Sequence, residues 1–372
     1  MIQISSETAR GLLLRAVGLD RRRASPGLPG ALEVLDALGC VQLDPLDRVG
    51  TNADLVLHAR VDGLVRGDWS RTMPGGAFEH FAKERCLLPA RLFPHYRVHV
   101  PETPWWQGTT RLSRLPAGVL DDVLAEIAAR GPIAAEDLSD RGKVEPLDWS
   151  GWKGTAKAST MAVEVLWTRC QVVTAGRTAA GTRVYDVPAR ALPGWHDAPV
   201  ADAQRALVLQ RVRSAGLLST ATGPHWSMLS ELRQSDLVRG LVRSGELIEV
   251  QVAGARRTYL TSPALLEAPD EGLDDAMRVL GPLDPLLWDR KLVSQIFGFD
   301  YIWEVYKPAE QRVWGYYVTP LLYQGQLVGR MEARRVKAEG GAQIAVEKRW
   351  GAWPQAPFDE AIDRLRAMQG AG

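Results

Sequence analysis

The sequence predicts a mixed α+β chain built from small tandem modules, with a β-rich module at its end. Three observations carry this reading. A helix end, strand, Gly-containing turn and second strand occur twice in the middle of the chain. Two short amphipathic stretches and a pair of compact apolar runs open it. From about residue 275 aromatic and β-branched runs replace helical spacing.

Apolar residues recur at helical spacing over 6–18 and 30–39, with Ser5 or Ser6 as an N-cap for the first and Gly39 as a stop for the second. "VQLD" then reads as a short strand closed by Pro45, and "NADLVLHARV" returns to helical spacing with Asn52 as a cap. The runs "AFEHF" and "RCLLP" form a hairpin. Two short helices and a hairpin outline a winged helix.

In the middle, "LWTRCQVVTAGRTAAGTRVYDV" (Leu166 to Val187) and "LVRSGELIEVQVAGARRTYLT" (Leu241 to Thr261) align with Cys170 on Gly245, Val172 on Leu247 and Tyr185 nearly on Tyr259. Helices are expected before each copy, over 117–129, 134–139 and 156–169, then 203–215 and 229–243. That order is helix, helix, recognition-type helix and wing. The expectation is about three winged-helix modules, at 1–114, 115–200 and 201–272. A barrel-like domain with a C-terminal helix would fill 273–372, and 102–115 and 188–202 read as linkers. Winged helices serve DNA binding and also protein–protein contact, so the fold alone does not choose.

The chain has 372 residues, 46% of them apolar and 24% charged, as expected of a globular protein with real cores. No apolar run has transmembrane length, and the charged, amphipathic start does not read as a signal peptide. Cys40, Cys86 and Cys170 lie far apart without a CxxC pair, which suits a reduced cytoplasmic protein without a structural zinc. Net charge is only +1, yet arginines crowd the first hundred residues. Their planar forks suit phosphate oxygens; a GC-rich genome would raise arginine content as well.

Nucleotide-binding glycine motifs, HExxH and GxSxG are all missing from the sequence. His95 and His99 stand four apart but lack a third ligand nearby, and no metal or cofactor is expected. What remains is "CVQLDPLDRVGTNADLVLHARV". Strand alternation would put Gln42 and Asp44 on one face with Val41 and Leu43 packed behind. Alone, that pair is either a polar strand edge or a small rigid apparatus for chemistry.

The residues resemble the YcaQ/AlkZ-type winged-helix DNA glycosylases, which remove bulky alkylated bases and unhook interstrand crosslinks. "LGCVQLDPLDRVGTNADLVLHARV" is similar to that family's catalytic segment, on its Gln-x-Asp, YcaQ-like branch. "AFEHFAKERCLLP" is similar to the following hairpin, and "GPLDPLLWDRKLVSQIFGFDYIWEVYKPAEQRVWGYYVTPLL" and "LVGRMEARR" to the C-terminal region. The likeness covers nearly the whole chain. It departs at Ala53, where many relatives carry His, and at Gln311, where many carry a basic residue.

The resemblance implies a monofunctional DNA glycosylase hydrolysing the N-glycosidic bond of N7-alkylated guanine, crosslinks included, in base excision repair. Asp44 would stabilise the oxocarbenium-like sugar and take a proton from water; Gln42 would hold the water or contact sugar and base. No lysine lies in the segment, so a Schiff-base lyase step is not expected. Arg48, Arg60, Arg183 and Arg257 are candidates for phosphate contacts on double-stranded DNA. A monomer, cytoplasmic and nucleoid-associated through its DNA binding, is expected, with no membrane partner. The rival is a non-enzymatic winged-helix DNA-binding protein or regulator, which would bind undamaged sequence and release no base.

Overall fold

A computed structural model of the chain describes residues 1–23, 25–100, 108–146, 155–269, 271–338 and 341–370. The architecture is mixed α+β, with thirteen α-helices and several small sheets among the described residues. Two compact units divide it. The first gathers residues 1–69, 81–86 and 208–372; the second holds 70–80 and 87–207. The 1–114 segment therefore contributes to both.

In the first unit, the opening helix Ser6–Ala16 is capped by Ser5, whose hydroxyl accepts the Thr8 amide. Leu12, Leu13 and Leu14 are its buried face. Helix Gly27–Leu38 follows and stops at Gly39, in the left-handed conformation at φ +67°; a side chain there would run into Gln210. The N-terminal strand Ile2–Ile4 lies parallel to Ile248–Val252, which pairs with Thr258–Thr261, and Leu218–Ser219 completes that sheet. Ala203–Ala215 and Asp236–Arg243 are its helices in the 201–272 segment, and the expected 229–243 helix is split by a 3-10 turn at Ser230–Gln234.

The C-terminal sheet runs Arg278–Val279, Val318–Tyr323, Gln326–Ala338, Gly341–Gly351, each strand antiparallel to the next. Its first and last strands do not pair, so the sheet is open and no closed barrel exists among the described residues. This corrects the barrel expectation. The closing helix Gln355–Met368 covers one face, and Phe358, Ile362 and Leu365 pack with Met331, Tyr317, Leu55 and Val49 in one core.

In the second unit, strand Ile133–Ala134 and a 3-10 turn at Ala135–Asp137 stand where the 134–139 helix is expected, between helices Val119–Arg130 and Ala158–Thr168; that strand pairs with Arg183–Asp186, which pairs with Val173–Arg177. Trp167 is buried there, its indole N–H donating to the Glu79 carbonyl at 2.9 Å. Phe78 and Phe93 meet edge to face at 5.4 Å. Part of the expected 102–115 linker is helix, Gly108–Arg114, while 101–107 lie outside the described residues. Likewise Pro188–Ala191, in the expected 188–202 linker, is a short helix.

The two repeat copies match in backbone detail. Cys170 and Gly245, aligned by sequence, both have positive φ, +58° and +79°, at the bend between helix and first strand. Tyr185 and Tyr259 are both buried on the second strand. No helix among the described residues is long and apolar enough to cross a membrane.

Candidate active site

The helix stop at Gly39 delivers the chain into Cys40 and Val41, both buried, and then Gln42 at 7% exposure. The strand is shorter than expected. It spans only Val41–Gln42, with the Leu43 amide donating to the Arg85 carbonyl at 2.8 Å. Asp44 is not a second residue on a strand face. It lies in the turn that follows, where its Oδ1 accepts the Leu46 amide at 2.9 Å, a local bond that Asp side chains make readily before a change of direction. The strand ends here because Pro45 has no amide for a ladder.

Gln42 is held from two sides. Its backbone carbonyl accepts Asn52 Nδ2 at 2.9 Å, and Asn52 Oδ1 accepts the Leu283 amide at 3.0 Å. Asn52 thus ties the Val41–Gln42 strand to the 281–283 segment, and Gly281 is needed because a Cβ there would lie 2.5 Å from Asn52 Oδ1. The expected cap of the Asn52–His58 helix is corrected: Thr51 caps it, in a reciprocal box with Asp54 that frees Asn52 for the strand. Ala53, on the same helix, is fully buried.

On the side-chain end, Lys83 Nζ donates to Gln42 Oε1 at 2.9 Å. The same ammonium sits 4.9 Å from the centroid of the Trp288 ring. Burial lowers the Lys83 pKa. The sequence reading found no lysine in the Gln42 segment; the fold supplies one from the tip of the Ala77–Phe81/Arg85–Pro89 hairpin. Lys83 also lines a cavity of about 420 Å³ shared with Trp288, His225, Arg257 and Arg290. Burial pushes the His225 imidazole down to about 3, so it is neutral and adds no charge.

Asp44 is half-buried, and loss of water pushes its carboxyl up from the ordinary aspartate value against the pull of the Leu46 amide. It lies within electrostatic range of two tyrosines. Burial first, and then the Asp44 and Glu84 charges, raise the Tyr306 phenol; burial first, then Tyr301 and Asp44, raise that of Tyr317. Tyr317 is buried, whereas Tyr306 is 83% exposed, and Trp303 packs edge-on against both.

The arginines fare differently. Arg60 is completely buried, forked onto Asp284 at 2.8 and 3.0 Å, with further bonds to the Val17 and Val56 carbonyls. It cannot reach a phosphate, and its assignment as a DNA contact is corrected to a structural one. Arg48, partly exposed four residues beyond Asp44, lies 5.8 Å over the Tyr316 ring. Arg257 lines the cavity that holds Lys83. Arg183 belongs to the second unit, 3.7 Å from Glu164 and beside Tyr185. Sequence reasoning missed Lys83, Asn52 and Tyr306. Pairing "VQ" with "RCLLP" would have put the hairpin tip near Gln42; nothing local marks Asn52 or Tyr306.

A half-buried carboxylate with raised pKa, a clamped amide and aromatic and cationic groups nearby can take part in electrostatic and acid–base chemistry. Over residues 35–368 the chain matches the family model described as DNA glycosylase AlkZ-like, and it belongs to that family. Among solved structures it is similar to Streptomyces sahachiroi DNA glycosylase AlkZ, with a TM-score of 0.62 at 15% identity, covering 100% of this chain and 98% of that one. That second likeness speaks for a shared fold.

Proposed function

We propose that this protein is a monofunctional DNA glycosylase that hydrolyses the N-glycosidic bond of N7-alkylated guanine, including guanines in interstrand crosslinks, in base excision repair. The observation that carries the reading is Asp44: a carboxylate open to solvent on one side, dried on the other, two residues beyond an amide held in place.

N7 alkylation makes guanine a cationic leaving group, so the base needs no protonation. Asp44, ionised, steadies the positive charge that grows at C1′ and takes a proton from water as hydroxide adds there. The C1′–N9 bond breaks, its electron pair neutralises the purine, and an abasic sugar remains. Raised basicity suits this role, because a carboxylate with a higher pKa accepts the proton better once ionised.

Duplex binding in this reading falls to winged-helix modules within 1–114, 115–200 and 201–272, with Arg48 and Arg257 on phosphates and Arg183 as a lesser contact. Tyr306, exposed beside Asp44, offers a face for stacking on a base or wedging a step. A crosslinked base is tied to both strands and cannot be flipped, which fits a site built on an open turn.

The test is chromatography of bases released from alkylated duplex. Wild type should release 7-methylguanine, with a rate that falls as acid protonates Asp44, at a pH above that of an ordinary aspartate. Asp44→Asn should lose about 10²–10³-fold in rate or more, with duplex Kd changed by less than about twofold. It should also melt on the order of 1 °C higher at pH 7. The sign follows from the raised pKa: the ionised, half-dried carboxylate opposes folding above its unfolded value, and Asn removes that charge. Full activity in Asp44→Asn would refute the assignment.

A further inference from the structure

A carboxamide has two ends, and the end presented to a substrate decides what it can do: oxygen accepts, nitrogen donates. Lys83 settles this for Gln42. An ammonium has three donors and no acceptor, so at 2.9 Å it can face only the amide oxygen. Flipping Gln42 would set two donors against each other. Lys83 is itself fixed, by the Trp288 face on one side and the hairpin tip on the other. Gln42 Nε2, by contrast, makes no hydrogen bond to a described residue and is not among the sealed polar atoms.

We propose that Lys83 is a positioning residue that locks Gln42 as a hydrogen-bond donor, so that its NH₂ group, not its oxygen, serves the reaction. This rests on the glycosylase reading above and deepens it. The acceptor is then on the leaving purine, at N3 or O6, where electron density builds as C1′–N9 breaks. A donor aimed there is worth more in the transition state than in the ground state. Gln42 no longer serves as an acceptor that steers water; that role stays with Asp44. Lys83 acts through Gln42 and forms no bond to the sugar.

The experiment is single-turnover release of 7-methylguanine from duplex DNA, with duplex affinity measured in parallel. Lys83→Met, which keeps the stem and removes the ammonium, should slow the saturating rate about 10–100-fold and leave Kd within about twofold. Placed on top of Gln42→Ala, the same change should cost almost nothing further, because the two residues act as one unit. Gln42→Glu, which keeps the Lys83 contact as an ion pair but has no donor, should be at least as slow, and it tests the idea even if Lys83→Met folds poorly.

A wild-type saturating rate in Lys83→Met would overturn the proposal. So would a Kd raised tenfold with that rate intact, which would make Lys83 a phosphate contact. Borohydride trapping of Lys83 on abasic DNA would also overturn it, since a nucleophilic amine cannot be a standing ammonium clamp. If wild type released no base from any alkylated duplex, the glycosylase reading would fall and take this with it; active wild type with an unaffected variant would sink the Lys83 role alone.

Discussion

The two repeated hairpins share a backbone plan and use their arginines in opposite ways. In the first, Val173–Arg177 with Arg183–Asp186, Arg177 reaches Glu79 at 2.6 Å and Arg183 lies 3.7 Å from Glu164. Glu79 is completely buried. In the second, Ile248–Val252 with Thr258–Thr261, Arg256 is exposed, Arg257 opens onto the cavity beside Lys83, and neither is in an ion pair with a described residue. The sequences "AGRTAAGTRVY" and "VAGARRTYL" look equally basic, so charge count does not reveal which hairpin has its cations in ion pairs. Carboxylate partners elsewhere in each unit decide that.

The sharpest way to break this contrast is Arg177→Met. It removes the ion pair of the buried Glu79 and should cost about 3 kcal/mol in urea unfolding at pH 7. Burial raises the Glu79 pKa, with Arg177 pulling against it. The penalty in the variant therefore belongs to the ionised form, is full above Glu79's folded pKa and fades as acid protonates it. A variant equally unstable at pH 7 and at pH 4–5, about where an ordinary glutamate titrates, would show that Arg177 stabilises by packing instead.

A smaller effect is expected at the second hairpin. Arg257→Ala should weaken duplex binding roughly 3–10-fold and reduce the salt slope by about 1, with stability within about 0.5 kcal/mol. Smallest of all, Arg183→Ala should change duplex affinity by less than about twofold, because Glu164 already answers its charge. Titration of binding against salt for these variants ranks the hairpins; a larger loss at Arg183 than at Arg257 would invert the comparison.

Local patterns were legible in the sequence wherever local physics set them. Helical spacing, the Ser5 cap and the Gly39 stop depend on a few neighbouring residues. Three strands of the C-terminal sheet, Val318–Tyr323, Gln326–Ala338 and Gly341–Gly351, were legible from composition, whereas the aromatic run "YIWEVYKP" forms no strand; closure depends on whether the first and last strands meet, and composition says nothing of that. Arg60 looked like a surface arginine because its partner, Asp284, lies 224 residues away. Lys83 was overlooked for the same reason, since 41 residues separate it from Gln42. As for Asp44, its residue type was legible and its meaning came from family likeness; the turn that places it depends on Pro45 ending a two-residue strand.

The parallel pairing of Ile2–Ile4 with Ile248–Val252 has a consequence for how the chain is made. On the ribosome, the first strand leaves the exit tunnel long before its partner has been translated. Everything in 70–80 and 87–207 is synthesised by then. The intervening body can therefore complete itself first, while the opening residues wait unpaired, and slow closure of such distant ends is the ordinary cost of high contact order. The Gln42 strand meets its partner Arg85–Pro89 early, but its anchor to Leu283 through Asn52 forms much later. A nascent chain halted near residue 207 would carry the complete Gln-x-Asp tripeptide without the Leu283 bond that holds Asn52 against it.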